Sequence, residues 1–99
     1  MSEGTIFKEE VKARLKKPRL YKVILLNDDY TTMDFVVEVL VGIFHKPAAE
    51  ATRIMLDVHE KGKGIVGVYT YDIASTKIIQ VEGLARQREF PLKAVMEEE

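Results

Sequence analysis

From residue 19 onward the chain alternates short apolar runs with polar breaks, and the spacing of the apolar positions predicts its elements. Leu20-Tyr21-Lys22-Val23-Ile24-Leu25-Leu26 is rich in β-formers and nearly continuous, which predicts a strand covered on at least one face. Asn27-Asp28-Asp29 ends it. Thr31-Thr32-Met33-Asp34 then supplies a cap of the S/T-x-x-D kind, and Phe35, Val36, Val39, Leu40 and Ile43 repeat at helical spacing to Phe44. Pro47 suits the first turn of a second helix. Ala48, Ala51, Ile54, Met55 and Val58 keep its 3- and 4-residue spacing until Gly62 and Gly64 end it.

Ile65 to Thr70 is short and β-branched, so it reads as a second strand, with Gly67 as a bulge or point of close approach. Thr70 can cap a third helix. That helix puts Ile73, Ala74, Ile78, Val81, Leu84 and Ala85 on one side and turns Lys77, Gln80, Arg86 and Arg88 to solvent. Pro91 stops it, Leu92 to Met96 reads as a last strand, and Glu97-Glu98-Glu99 as a solvated terminus. The predicted fold is α+β, a small single domain of order β-α-α-β-α-β with three helices on one face of a three-stranded sheet.

Charge divides the chain differently. Residues 1 to 19 carry six basic and three acidic side chains, a balance of +3, so the remainder sums to −4. Ahead of Pro18, Phe7, Val11 and Leu15 form a single thin apolar stripe at i, i+4, i+8. A lone stripe has nothing to pack on, so residues 1–18 are expected to be a flexible extension and residues 19–97 the core domain. Ninety-nine residues leave little room for a deep, enclosed active site. A net charge of −1 is no footprint for nucleic acid or an anionic membrane. With no cysteine there is no disulfide, thiolate nucleophile or Cys-ligated zinc. No apolar run approaches the roughly 20 residues of a membrane span, and no secretory signal opens the chain. The expectation is a soluble, cytoplasmic protein.

The candidate chemistry lies at two places. Asn27-Asp28-Asp29 sets three polar groups at a strand end, where at least one must line a depression. His59 follows Met55 by four residues, so the two share a helix face beside Val58. Receiver domains hold a divalent ion with an acidic pair at a first strand's end, but that fold alternates five strands and helices over a longer chain. Asp29 with His59 can serve as an acid/base pair, yet no nucleophile of established pattern accompanies them. Asp28, Asp29 and His59 lack the spacing of a metal site. A binding site remains, in which one carboxylate, one amide oxygen and one imidazole converge beside apolar walls. An α-amino group, cationic at neutral pH and carrying three donors, fits it.

The run Tyr21-Lys22-Val23-Ile24-Leu25-Leu26-Asn27-Asp28-Asp29-Tyr30-Thr31-Thr32-Met33-Asp34-Phe35-Val36, then Ile54-Met55-Leu56-Asp57-Val58-His59 followed by Gly62, then Gly67-Val68-Tyr69-Thr70, strongly resembles the ClpS family, adaptors of the bacterial N-end rule pathway. The resemblance runs from about Leu20 to Leu92. It implies an adaptor, not an enzyme, that binds proteins by an N-terminal Leu, Phe, Tyr or Trp and hands them to a ClpA-type Clp/Hsp100 unfoldase for proteolysis by ClpP. It implies a core similar to the C-terminal domain of the ribosomal stalk protein. Asn27, Asp29 and His59 match the family's contacts to the substrate α-amino group. Asp28, Thr31, Met33, Val36, Met55, Val58 and Leu92 match its pocket rim and walls, with Met33 at the position that screens out β-branched first residues. Asp72 and Lys77 match the unfoldase-docking surface, Asp72 standing where the family has Glu. The extension corresponds to the segment that engages the unfoldase. No cofactor is implied, since ATP belongs to the unfoldase, and the chain is expected to act as a monomer without nucleic acid or membrane.

Overall fold

The computed structural model describes residues 18–99, and the extension expected ahead of Pro18 lies outside them. Three strands and three helices follow in the order expected: β1 (Leu20–Leu26), α1 (Met33–Gly42), α2 (Ala48–Lys61), β2 (Lys63–Thr70), α3 (Tyr71–Gln87) and β3 (Lys93–Glu98). The sheet is antiparallel throughout, with β1 in the middle between β2 and β3. One face carries the core. Val23, Leu25, Val66 and Ala94 pack against Phe35, Val36, Val39 and Leu40 of α1, Ala51, Ile54 and Val58 of α2, and Ala74, Val81 and Ala85 of α3. On the other face Ile24 is buried but lies outside that cluster, flanked in register by the more exposed Ile65 and Val95.

Several boundaries differ from the sequence reading, each for a local reason. Helix α2 ends at Gly62, whose φ of 89° is the left-handed conformation that glycine adopts without strain. Gly64 does not end the helix; it lies inside β2, which starts at Lys63. A Cβ on Gly64 would stand 2.8 Å from Val58 Cγ2 and 3.0 Å from the Ile54 carbonyl oxygen, so its bare backbone lets α2 lie close on the sheet. At Gly67 the expected bulge is present. Val23 pairs with Gly67 and Ile24 with Ile65, which leaves Val66 as the extra residue.

The N-cap of α1 is Thr32, one residue later than the S/T-x-x-D frame implied; its hydroxyl accepts from Phe35 N–H at 3.1 Å. Thr70 holds the N-cap position of α3 without a side-chain bond. The acidic terminus is not free of the fold. Glu97 and Glu98 continue β3 opposite Lys22 and Tyr21, and Glu99 N–H donates to the Leu20 carbonyl at 2.9 Å. Their side chains stay exposed, which is why a run of glutamates hid a strand.

Two assignments on α3 are reversed as well. Ile73 is about half exposed, whereas Lys77 is partly buried, and Arg88 beyond the helix forms a two-pronged ion pair with Glu38 of α1, at 3.2 and 2.7 Å, over the Phe35 ring.

Candidate functional site

Strand β1 does not end in open loop. Asn27 N–H donates to the Gly62 carbonyl at 2.9 Å, one step past the Leu26–Lys63 pair, so the ladder runs on into the cap of α2. Gly62 N–H in turn donates to the Val58 carbonyl, the residue before His59. These two bonds tie the end of β1 to the last turn of α2 and set Asn27 beside the turn that carries His59. The loop's far end is fixed by the Thr32 cap, whose carbonyl also accepts from Val36 N–H.

Between these anchors Asp28 organises the backbone. Its Oδ1 accepts from Tyr30 N–H at 2.8 Å and Thr31 N–H at 2.6 Å, and its Oδ2 accepts from the Thr31 hydroxyl at 2.6 Å. Burial pushes the Asp28 carboxyl up, but the Thr31 hydroxyl and the Thr31 and Tyr30 N–H groups outweigh it and hold the group below its ordinary value. Asn27, Asp29 and His59 behave oppositely. All three are exposed, and among the described residues none of their side chains has a hydrogen-bond partner. An amide, a carboxylate and an imidazole are thus available to a ligand on a backbone fixed at both ends.

The apolar residues matched to the pocket differ in exposure. Val36, Val58 and Leu92 are buried in the core cluster, Met55 packs half-buried against it, and Met33 is about half exposed at the start of α1. Methionine at the accessible positions gives walls that adapt to several apolar shapes. Leu56, one turn before His59, and Tyr30, the most exposed large apolar residue described, are exposed as well, and neither is among the pocket residues that the resemblance implies. Their exposure is the signal of interest, and periodicity alone does not report it. A depression of about 230 Å³ adjoins the loop, lined by Leu26, Asn27, Asp28, Pro91 and Lys93.

Asp72 and Lys77 lie elsewhere, both early in α3. Asp72 is exposed, while the Lys77 ammonium donates to the Ile43 carbonyl at 2.7 Å and so caps the C-terminal end of α1, which has no basic residue in its last turn. A wider cavity of about 570 Å³ opens there between Gly42, Ile43 and His45 on one side and Lys77, Gln80, Gly83 and Gln87 on the other. It shares no residue with the depression at the loop. Among the described residues no three acidic or histidine side chains are grouped as a metal site, and no helix is long and apolar enough to cross a membrane.

Comparison with known proteins identifies the family. The family model for ClpS, the ATP-dependent Clp protease adaptor protein, matches residues 16–95. The ATP-dependent Clp protease adapter protein ClpS of Acetivibrio thermocellus is 72% identical over 99 residues, the whole of both chains. That of Syntrophus aciditrophicus is 68% identical over 85 residues, 86% of this chain and 79% of the relative. Among solved structures, Agrobacterium tumefaciens ClpS2 bound to L-phenylalaninamide superposes with a TM-score of 0.81 at 41% identity, covering 84% of this chain and all of the other.

Proposed function

Since the chain belongs to the ClpS family of ATP-dependent Clp protease adaptors, which carry substrates to a protease and catalyse no reaction themselves, we propose that it recognises proteins by a bulky hydrophobic first residue, Leu, Phe, Tyr or Trp. It delivers them to a ClpA-type AAA+ unfoldase for degradation by ClpP, as a monomer in the cytoplasm. The observation that carries this reading is the Asn27 N–H bond to the Gly62 carbonyl, which brings the end of β1 to the last turn of α2. Asn27, Asp29 and His59 accept from the cargo's terminal ammonium. Met33, Val36, Met55, Val58 and Leu92 receive its first side chain, with Asp28 and Thr31 at the rim. The ligand of the Agrobacterium relative supports the assignment, because phenylalaninamide has the free α-amino group and aromatic side chain of an N-terminal Phe.

The energetics suit an adaptor that must release its cargo. Two or three charge-assisted hydrogen bonds contribute roughly 1.5 to 3 kcal/mol each. Burial of a Leu or Phe side chain adds roughly 1.5 to 3 kcal/mol. After the cost of immobilising the peptide, the dissociation constant is of order micromolar. Met33, at the position matched to the family's screen against β-branched first residues, disfavours Val and Ile on this reading.

Asp72 and Lys77 belong to the unfoldase-docking surface, on α3 and outside the loop, so cargo and unfoldase are held at the same time. The extension ahead of Pro18 serves delivery.

Fluorescence anisotropy of labelled ten-residue peptides that differ only at the first residue tests the reading. Leu and Phe peptides should bind at micromolar concentration, and Val, Ile and acetyl-Leu peptides far more weakly. Acetylation removes the charge and replaces donors with bulk. Equal binding of the acetylated peptide would refute the assignment.

A further inference from the structure

The polar groups of the loop and of the adjoining last turn of α2 fall into two sets. Asn27, Asp29 and His59 are exposed and unpaired among the described residues, whereas both oxygens of Asp28 are turned onto its own loop. A carboxylate with three short bonds to Tyr30 and Thr31 has little capacity left for a ligand beside it. Its family position nevertheless lies among the pocket residues. The bonds explain why: they close the four residues Asp28 to Thr31 into one turn, between the Asn27 anchor on Gly62 and the Thr32 cap of α1.

We propose that Asp28 and Thr31 form a latch that positions Asn27 and Asp29 for the cargo's terminal ammonium, so that Asp28 acts through its neighbours without touching cargo. The inference rests on the N-terminal-residue reading. A loop left unlatched must be ordered at the moment of binding, and that ordering weakens affinity without changing any contact in the complex. The latch therefore sets the strength of binding, and the choice among first residues stays with the apolar pocket.

The test uses full-length variants, anisotropy with Leu-, Phe- and Val-initiated peptides, and hydrogen exchange at the Tyr30 and Thr31 amides. Thr31→Val removes the hydroxyl donor to Asp28 Oδ2, and Thr31→Ser retains it. The expected result is a roughly tenfold loss for Thr31→Val with near-full rescue by Thr31→Ser, as for one charge-assisted bond. Asp28→Ala should lose more, with faster exchange at both amides. The preference for Leu and Phe over Val should stay unchanged in every variant.

Full affinity in Thr31→Val, or lost affinity in Asp28→Ala with the two amides still slow to exchange, would overturn the latch; the second result would make Asp28 a direct contact. The Thr31 pair decides the matter even if Asp28→Ala fails to fold. Asp29→Ala separates the two layers. If it binds normally, the N-terminal-residue reading has failed; if it loses cargo while Asp28→Ala does not, only the latch has.

Discussion

Two regions of this small domain are built on opposite plans. The loop after β1 is held by bonds that span two or three residues, from Asp28 to Tyr30 and Thr31, and it leaves the Asn27 and Asp29 side chains exposed and, among the described residues, unpaired. At the end of α1 one side-chain bond reaches 34 residues along the chain, from Lys77 to the Ile43 carbonyl, beside an open cavity more than twice the size of the depression at the loop. A compact set of oriented acceptors suits a small charged group, for which a displacement of one ångström is costly. A broad cavity crossed by one cation suits the surface of another protein, where area and shape matter more than any single bond. On the function proposed above, the first region would take a chain terminus and the second an unfoldase.

The contrast breaks most directly at Asp29. Replacement by Ala should reduce affinity for a Leu-initiated peptide roughly 10- to 100-fold, the value of a hydrogen bond to a charged group. Its melting temperature should barely move, because the side chain is exposed and, among the described residues, unpaired.

Gly64→Ala comes next and acts on structure. The new Cβ would press on Val58 and on the Ile54 backbone, at a cost of about 1 to 3 kcal/mol, read as a lower midpoint in denaturant titration. Because α2 must shift, peptide binding should fall with stability, unlike in Asp29→Ala.

Lys77→Met removes the cation that caps α1 and should cost about 1 kcal/mol in the same titration. Peptide affinity should hold while unfoldase-dependent degradation of a Leu-initiated substrate slows. Loss of peptide binding in this variant would show the two regions to be coupled.

The smallest effect is set by pH. The carboxyl of Asp28 titrates lower in the folded chain than in the unfolded one. Its contribution to stability is therefore fully present above the ordinary carboxylate value near 3.9, and is lost as the pH falls through the lower folded value. The stability gap between the wild-type chain and Asp28→Asn should close on acidification; a gap that widens would contradict the bonding at Asp28.

Much of the fold is legible in the sequence because its elements are separated by residues with a single structural use. Gly62 in a left-handed cap and Pro91 after α3 act through their own backbones, and the apolar spacing of α1 and α2 reports the buried faces directly. What is hidden depends on partners distant in sequence. Gly64 looks like a helix stop until Val58 and Ile54 are seen above it. Glu97 and Glu98 look like a solvated tail because β3 is joined through backbone groups that side-chain polarity does not report. Lys77 looks like a surface lysine, since nothing nearby in sequence announces the Ile43 carbonyl.

At the candidate site, the run Asn27-Asp28-Asp29 and His59 stand out by residue type, the family resemblance selects Asn27, Asp29 and His59 from them, and β1 and α2 run to adjoining ends. The division of labour within the loop is hidden, because Asn27, Asp28 and Asp29 are alike as letters. Only the direction of each side chain separates the one that holds the loop from the two that face outward.

The central claim is that the loop from Asn27 to Thr32, together with His59, receives a free protein N-terminus. An NMR titration of the isotopically labelled chain with a Leu-initiated peptide, repeated with its acetylated counterpart, tests it most directly. Shifts concentrated at residues 27–33, 55 and 59 are expected with the free peptide and almost none with the acetylated one. Shifts centred on Asp72 and Lys77, or equal responses to both peptides, would contradict it.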